Sequence, residues 1–372
     1  MTSWLWPVLA GLVRSEEARE VVSPAYDQFT PEERTDHARR HPRSYLNGTP
    51  SEGDDPDQDY EGRRAQATSY LSGEIKRGTW DFRVPGMFIL EISSGEHIQV
   101  GVVGDVPWDR FPVFVRPHEA TRPSRVDDLA DYLETVGYGS SPVGLAYRRH
   151  PGVDAAVERI TARPPALDVT LEDGDRHRVW RAGHDQALME SLAEVANAYI
   201  IDGHHRVAAT VQRGSEPDTP AGRFLAVAFP ADDLAVYPFH RWVDAPIDEI
   251  GAQPGPLSPG PGQAVAVTRA GEWVIALQAR PGEADVSALA RGMLADLGID
   301  DERTDPRLRF IPGYPDPEPV RALVKELGGV GFILAPCSTA TVLEVSDRGE
   351  FMPPKATFFS PKPRSGLFLV RR

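Results

Sequence analysis

A mixed α+β fold, with strands and helices interleaved along the chain, is predicted by three observations. Short β-branched or alternating runs at 86–92, 97–103 and 224–229 have strand character. Between such runs lie segments with helical spacing, among them Val126, Leu129, Ala130, Leu133 and Val136. The two kinds of segment alternate across all 372 residues instead of segregating into blocks, which is how α/β and α+β architectures read.

Taken in order, residues 21–27 read as extended, and 31–40 as a short helix begun by Thr30 with Pro31 in its first position. Residues 41–46 resume an extended path. Residues 48–60 are rich in Gly, Pro, Asp and Glu and read as a flexible loop before a helix at 60–77. The runs at 86–92 and 97–103, joined by Ser93, Ser94, Gly95 and Glu96, form a hairpin. Ser124 is placed to cap the next helix, which Gly137 stops. A strand at 142–147, a helix at 153–162, a hairpin at 167–171 and 177–180, and a helix at 188–196 follow. The Pro- and Gly-rich run 251–262 is the best linker. Beyond it, strands at 264–268 and 273–277 and helices at 286–297 and 320–327 suit a small α/β domain. Three regions are expected: an α/β extension at 1–110, a core at 111–246, and a smaller α/β domain at 247–372.

Composition narrows the function. The chain is 41% hydrophobic and 26% charged, with a net charge of −15. That balance argues against a protein that coats DNA or an anionic membrane, since both need a basic footprint, so neither nucleic acid nor membrane is an expected partner. The single Cys337 excludes an internal disulfide and a multi-cysteine zinc site, fits a reducing cytoplasm, and reads as a small buried hydrophobe. The apolar run after Ser3 lacks a basic start and soon meets Glu16 and Glu17, so it does not read as a signal peptide. No run reaches membrane-spanning length, and a soluble protein is expected.

Chemistry concentrates in three clusters. Tyr199, Ile200 and Ile201 read as a buried strand, and Val207, Ala208, Ala209 and Val211 as a helix face, so Asp202, Gly203, His204, His205 and Arg206 form the turn between them. A new helix aims unpaired N–H groups outward, which with Arg206 suits a phosphate. Gly203 lets the backbone approach a ligand. Asp202 is placed to hold Mg²⁺ or to accept from a hydroxyl, and His204 and His205 to donate to phosphate or bind a metal, while a helix cap with surface histidines is the plainer reading. The second cluster, His118, Glu119, Thr121 and Arg122, precedes a helix, where a carboxylate either caps or works on a ligand. In the third, at 351–366, prolines hold an extended tail with Lys355, Thr357 and Lys362 exposed, either as a wrapping arm or to close a phosphate site.

The Asp-Gly-His-His-Arg turn at 202–206, between strand and helix, resembles the phosphate-binding turn of the ParB/sulfiredoxin-like superfamily, in the form found in free serine kinases. Arg116-Pro-His-Glu119, a helix, then Ser141-Pro-Val143 is similar to the segment that carries the catalytic glutamate of those kinases, and Pro354-Lys-Ala-Thr357 to their C-terminal Pro-Lys-x-Thr segment. Over most of its length the chain resembles a widespread bacterial family with His-Glu-x-Thr-Arg-Pro and Asp-Gly-His-His-Arg motifs. The resemblance implies a ParB/sulfiredoxin-like core and phosphoryl transfer from ATP or ADP, with Mg²⁺, to the hydroxyl of free L-serine or a close hydroxy amino acid. Glu119 would then take the hydroxyl proton. Asp202 and His205 would be catalytic, Asp202 holding Mg²⁺ or orienting substrate. Gly203, His204, His205, Arg206, His118, Arg122, Lys355 and Thr357 would bind nucleotide and phosphate. The chain departs from those kinases at Phe358 and Phe359, where they carry basic side chains.

Competing activities meet obstacles. A sulfiredoxin-type reductase needs cysteine where His204 stands, and a ParB-type DNA switch needs a basic reading module. A nucleotide-binding regulator without catalysis stays open, as does a phosphohydrolase with a divalent ion among Asp202, His204, His205 and His118.

Overall fold

Strands and helices do alternate, in a mixed α+β architecture, in the computed structural model. It describes residues 3–24, 29, 31–49, 60–245, 253–254, 258–280, 282–313 and 316–372. Thr30, part of the extended run expected at 21–27, most of the loop expected at 48–60 and part of the linker at 251–262 lie outside the described residues. The chain divides into two compact units: residues 1–116, 121–233 and 361–372 in the first, and 117–120 with 234–360 in the second.

In the first unit an eight-stranded mixed sheet runs in the order Val115–Arg116, Ala198–Asp202, Val143–Tyr147, Arg223–Pro230, His97–Pro107, Met87–Ser94, Arg176–Gly183, Leu167–Thr170. Strand Ala198–Asp202 lies antiparallel to Val143–Tyr147 and parallel to Val115–Arg116. Both faces of these strands are covered, so Leu145, Ile200 and Ala226 read as continuous apolar runs and pack with Val153, Ile160, Leu188 and Leu192 from helices Pro151–Thr161 and Gln186–Ala193. Full burial of a leucine or isoleucine stabilises by about 1.5–3 kcal/mol, which makes this cluster the anchor of the turn that follows Ile201. A second sheet orders Trp80–Phe82, Ala10–Val13, Phe368–Arg371 and Tyr138–Gly139. The chain's last strand thus pairs with its first, Leu12 opposite Phe368.

The second unit holds a six-stranded sheet in the order Gln253–Pro254, Gly271–Ala276, Gln263–Thr268, Val330–Leu334, Phe239–Val243, Leu308–Pro312. Trp242, Val265, Val267 and Ile333 pack with Val320 and Val324 of helix Glu318–Leu327. Val236–Tyr237 pairs with Phe358–Phe359 of the tail.

Helices Pro31–Arg40 and Tyr60–Arg77 occupy the expected residues. Other expectations need correction. Residues 41–46 turn instead of extending, because the Ser44 hydroxyl accepts from Leu46 N–H and starts a 3₁₀ turn at Tyr45–Gly48. Gln253–Pro254, inside the expected linker, is an edge strand, the one place in a sheet that tolerates proline. Helix Pro123–Val136 begins before Ser124, with Arg122 as its N-cap, since Pro123 is preorganised for the first helical position.

Each unit buries a neutral histidine. Burial and then the Arg364 charge push His177 down to about 3, and burial with Arg241 and Arg321 pushes His240 down to about 4. The unfolded chain takes up a proton near pH 6.5 that the folded chain refuses until its lower value is reached. Stability should therefore fall as pH drops from 6.5 towards 4, by about 1.4 kcal/mol per pH unit for each histidine. Urea unfolding at pH 7 and pH 5 measures the slope, and His177→Leu should flatten it.

Candidate functional site

The site residues are described in two groups. Asp202, Gly203, His204, His205, Arg206 and Arg122 belong to the first unit, and His118, Glu119, Lys355 and Thr357 to the second.

In the first group, a register shift between Ile200 and Asp202 ends the regular ladder. Gly203 then takes φ 96°, ψ 27°, and helix His204–Arg213 begins. Only glycine adopts that backbone readily, and a Cβ here would also stand 2.9 Å from the Arg206 guanidinium. Arg206 turns back over the glycine. Its Nη1 donates to the Ser141 carbonyl at 2.8 Å and to that of Pro142, and its Nη2 donates to Asp202 Oδ2. The other Asp202 oxygen, Oδ1, lies 3.0 Å from Lys362 Nζ. Burial opposes ionisation of Asp202, but the charges of Lys362, Arg206 and His204 outweigh it and hold the carboxyl well below its usual range. His205 Nε2 accepts the Arg122 backbone N–H at 3.0 Å, so this nitrogen carries a lone pair and the histidine ties the turn to the start of helix Pro123–Val136. His204 is buried.

The second group is built on the tail. His118 is buried, its Nε2 lies 3.2 Å from Thr357 Oγ1, and its carbonyl accepts from Met352 N–H at 2.8 Å. Arg241 is fully buried and donates four hydrogen bonds: Nε to Glu302 at 2.9 Å, Nη1 to the carbonyls of Phe239 and Lys355, and Nη2 to the carbonyl of Pro354. Burial pulls Arg241 below its ordinary value, against the charges of Glu302 and Glu119. With its carbonyl held this way, Lys355 sits at φ 53°, a left-handed backbone that a lysine rarely takes. Its ammonium lies over the Phe239 ring, 5.1 Å from the centroid, and Phe239 meets Phe358 edge to face. Phe359 stands beside the His118 ring. Phe239 thus lies under the Lys355 ammonium with Phe358 edge-on to it, and Phe359 flanks His118.

Sequence reasoning missed Arg241, which lies inside an apolar strand where only its lack of an alternating partner marks it. Lys362 was expected to be exposed and is instead 7% exposed on Asp202, because Pro361 and Pro363 fix the backbone around it. Its position between prolines in an acidic chain was the available signal.

A metal fits this arrangement poorly. Both oxygens of Asp202 already meet cations, and among the described residues no three His, Cys, Asp or Glu side chains gather as a metal set. The divalent-ion cluster of Asp202, His204, His205 and His118 considered for a phosphohydrolase is not formed. Asp202 as a direct Mg²⁺ ligand requires Lys362 or Arg206 to give up the oxygen it holds. Among the described residues no helix is long and apolar enough to cross a membrane.

No curated protein matches the sequence. Among solved structures, the chain is similar to a free serine kinase in complex with AMP, at 17% identity and a TM-score of 0.39 over 69% of this chain and 86% of that one. SbnI with a C-terminal truncation, from Staphylococcus aureus, is similar at 12% identity and a TM-score of 0.42, covering 71% and 85%. A conserved hypothetical protein from Pyrococcus furiosus is similar at 15% identity and a TM-score of 0.39, covering 70% and 91%. At the level of sequence families, residues 9–253 match DUF1015, described as a protein of unknown function, and the chain belongs to that family.

Proposed function

We propose that the protein is a small-molecule kinase that moves a phosphoryl group from ATP or ADP to the hydroxyl of free L-serine or a close hydroxy amino acid. The observation that carries this reading is the turn at Gly203. It opens a ten-residue helix, whose first N–H groups have no intrahelical acceptors, beside Arg206 and two histidines. Such a terminus with fixed cations suits the phosphates of a nucleotide. A ParB/sulfiredoxin-like core is part of the same proposal.

Phosphoryl transfer asks for positioning, charge compensation and an acceptor for the hydroxyl proton. In the proposed reaction Glu119 accepts that proton. The hydroxyl oxygen bonds to the terminal phosphorus while the bond to the bridging oxygen breaks, leaving ADP from ATP or AMP from ADP. The N-terminal amides after Gly203, with His204, His205 and Arg206, hold the phosphates, and His118, Arg122, Lys355 and Thr357 are assigned to nucleotide and phosphate binding. Glu119 lies three residues before the N-cap of helix Pro123–Val136, outside the capping position, which supports chemical work over helix capping.

Incubation of the full chain with ATP or ADP, with and without Mg²⁺, and a mixture of hydroxy amino acids tests this by mass spectrometry. O-phosphoserine is the expected product. Nucleotide binding with no phosphorylated amino acid under any condition would overturn the kinase and leave a nucleotide-binding regulator.

A further inference from the structure

We propose that Arg241 is a positioning residue: it fixes the peptide groups on either side of Lys355 and the ring beneath that side chain, so that the Lys355 ammonium is presented in one place to a phosphate. The inference rests on assigning Lys355 to phosphate binding and adds what sets that cation.

The backbone carries the argument. Arg241 Nη2 donates to the Pro354 carbonyl at 2.9 Å and Nη1 to the Lys355 carbonyl at 3.0 Å. These carbonyls belong to the two peptide groups that flank the Lys355 Cα, so one planar fork holds both torsions of that residue. In an extended chain successive carbonyls point to opposite sides, and one guanidinium does not receive both. Here both turn to one side, which Lys355 achieves at φ 53°, in the left-handed region where its Cβ crowds the following carbonyl oxygen. Among the described residues Lys355 is the one non-glycine residue with positive φ. Such a conformation persists where the surroundings over-determine it.

The same guanidinium fixes the platform. Its Nη1 also donates to the Phe239 carbonyl at 2.9 Å, and the Phe239 ring carries the Lys355 ammonium 5.1 Å from its centroid. Among the described residues that ammonium makes no hydrogen bond or ion pair. A ring face takes one side of an ammonium and leaves N–H donors for an anion. Arg241 itself is held by Glu302 on Nε at 2.9 Å and by the Phe310 ring, whose centroid lies 4.6 Å from the guanidinium carbon. A buried ion pair is often no more stabilising than apolar residues of equal volume, so stability alone does not account for this one.

The relative stability of two variants reads the backbone at 355 without any ligand. Glycine takes a left-handed position freely and alanine does not, whereas at ordinary positions alanine is the more stable of the two. In the full chain Lys355→Gly should therefore unfold at higher urea than Lys355→Ala, and in the background of Arg241→Met with Glu302→Met the order should reverse. Should that background fail to fold, Arg241→Lys, which keeps a charge on Glu302 but has no fork to span two carbonyls, takes its place with the same expected reversal. Calorimetric titration with ADP then reads the ammonium. Lys355→Met should weaken binding by about tenfold, the double variant by about as much, and Lys355→Met added to the double variant by less than about twofold more. Glycine above alanine in both backgrounds, unchanged ADP affinity in a folded Lys355→Met or double variant, or losses that simply add would each overturn the proposal. No ADP binding by the wild type, together with a reversed order, would remove the nucleotide reading and leave Arg241 as the residue that positions Lys355.

Discussion

If Glu119 is the base of the proposed phosphotransfer, Glu119→Gln is expected to lower its rate by about 100- to 10,000-fold, the usual worth of a positioned general base. Glutamine keeps the size and shape of the side chain and removes the proton acceptor, so ADP affinity should change by less than about threefold, an effect confined to the chemical step. The measurement is kcat and KM for both substrates, with ADP affinity measured alongside. Glu119 is partly exposed and is one of two carboxylates whose charge acts on buried Arg241. Since Glu302 remains on Arg241 in the variant, fold stability should be nearly unchanged. A raised KM with kcat intact would reassign Glu119 to substrate binding.

Arg241→Met is expected to destabilise the second unit by about 3–5 kcal/mol, because it strands the Glu302 carboxylate in the interior. Burial already raises Glu302 above its ordinary range even with Arg241 in place, so removal of the cation leaves only the weaker Arg303 charge to offset that cost. The variant also frees the carbonyls of Phe239, Pro354 and Lys355, three acceptors that one guanidinium now satisfies. Arg241→Met with Glu302→Met should recover much of the loss in urea unfolding, since replacing both charges by apolar groups removes the stranded carboxylate. Recovery of stability without recovery of catalysis would show that Arg241 also positions Lys355, whose left-handed backbone it holds.

What could be read from the residues depended on how local the cause was. Helix Tyr60–Arg77 follows from its own residues, and so does the strand, turn and helix around Gly203, where a buried β-branched run, a glycine and an apolar helix face follow one another within a dozen positions. The same locality made Asp202, His204, His205 and Arg206 recognisable as a cluster. Residues 41–46 do not extend because one hydroxyl, Ser44, tips the stretch after Pro42 into a 3₁₀ turn. Strand Phe368–Arg371 was not anticipated, since it takes its partners from Ala10–Val13 and Tyr138–Gly139, more than two hundred residues away.

The amino-acid sequence by itself determined the alternation of strands and helices, the glycine turn and the membership of Asp202, His204, His205 and Arg206 in one turn, because periodicity and backbone preference act over a few residues. The tertiary structure alone decided what those charges do. Whether Asp202 is open to a metal or closed by Lys362, and whether Lys355 projects from a loose arm or is clamped by Arg241, depends on partners 160 and 114 positions away along the chain. An ion pair is set by distance and burial in space, and no pattern along the chain encodes either.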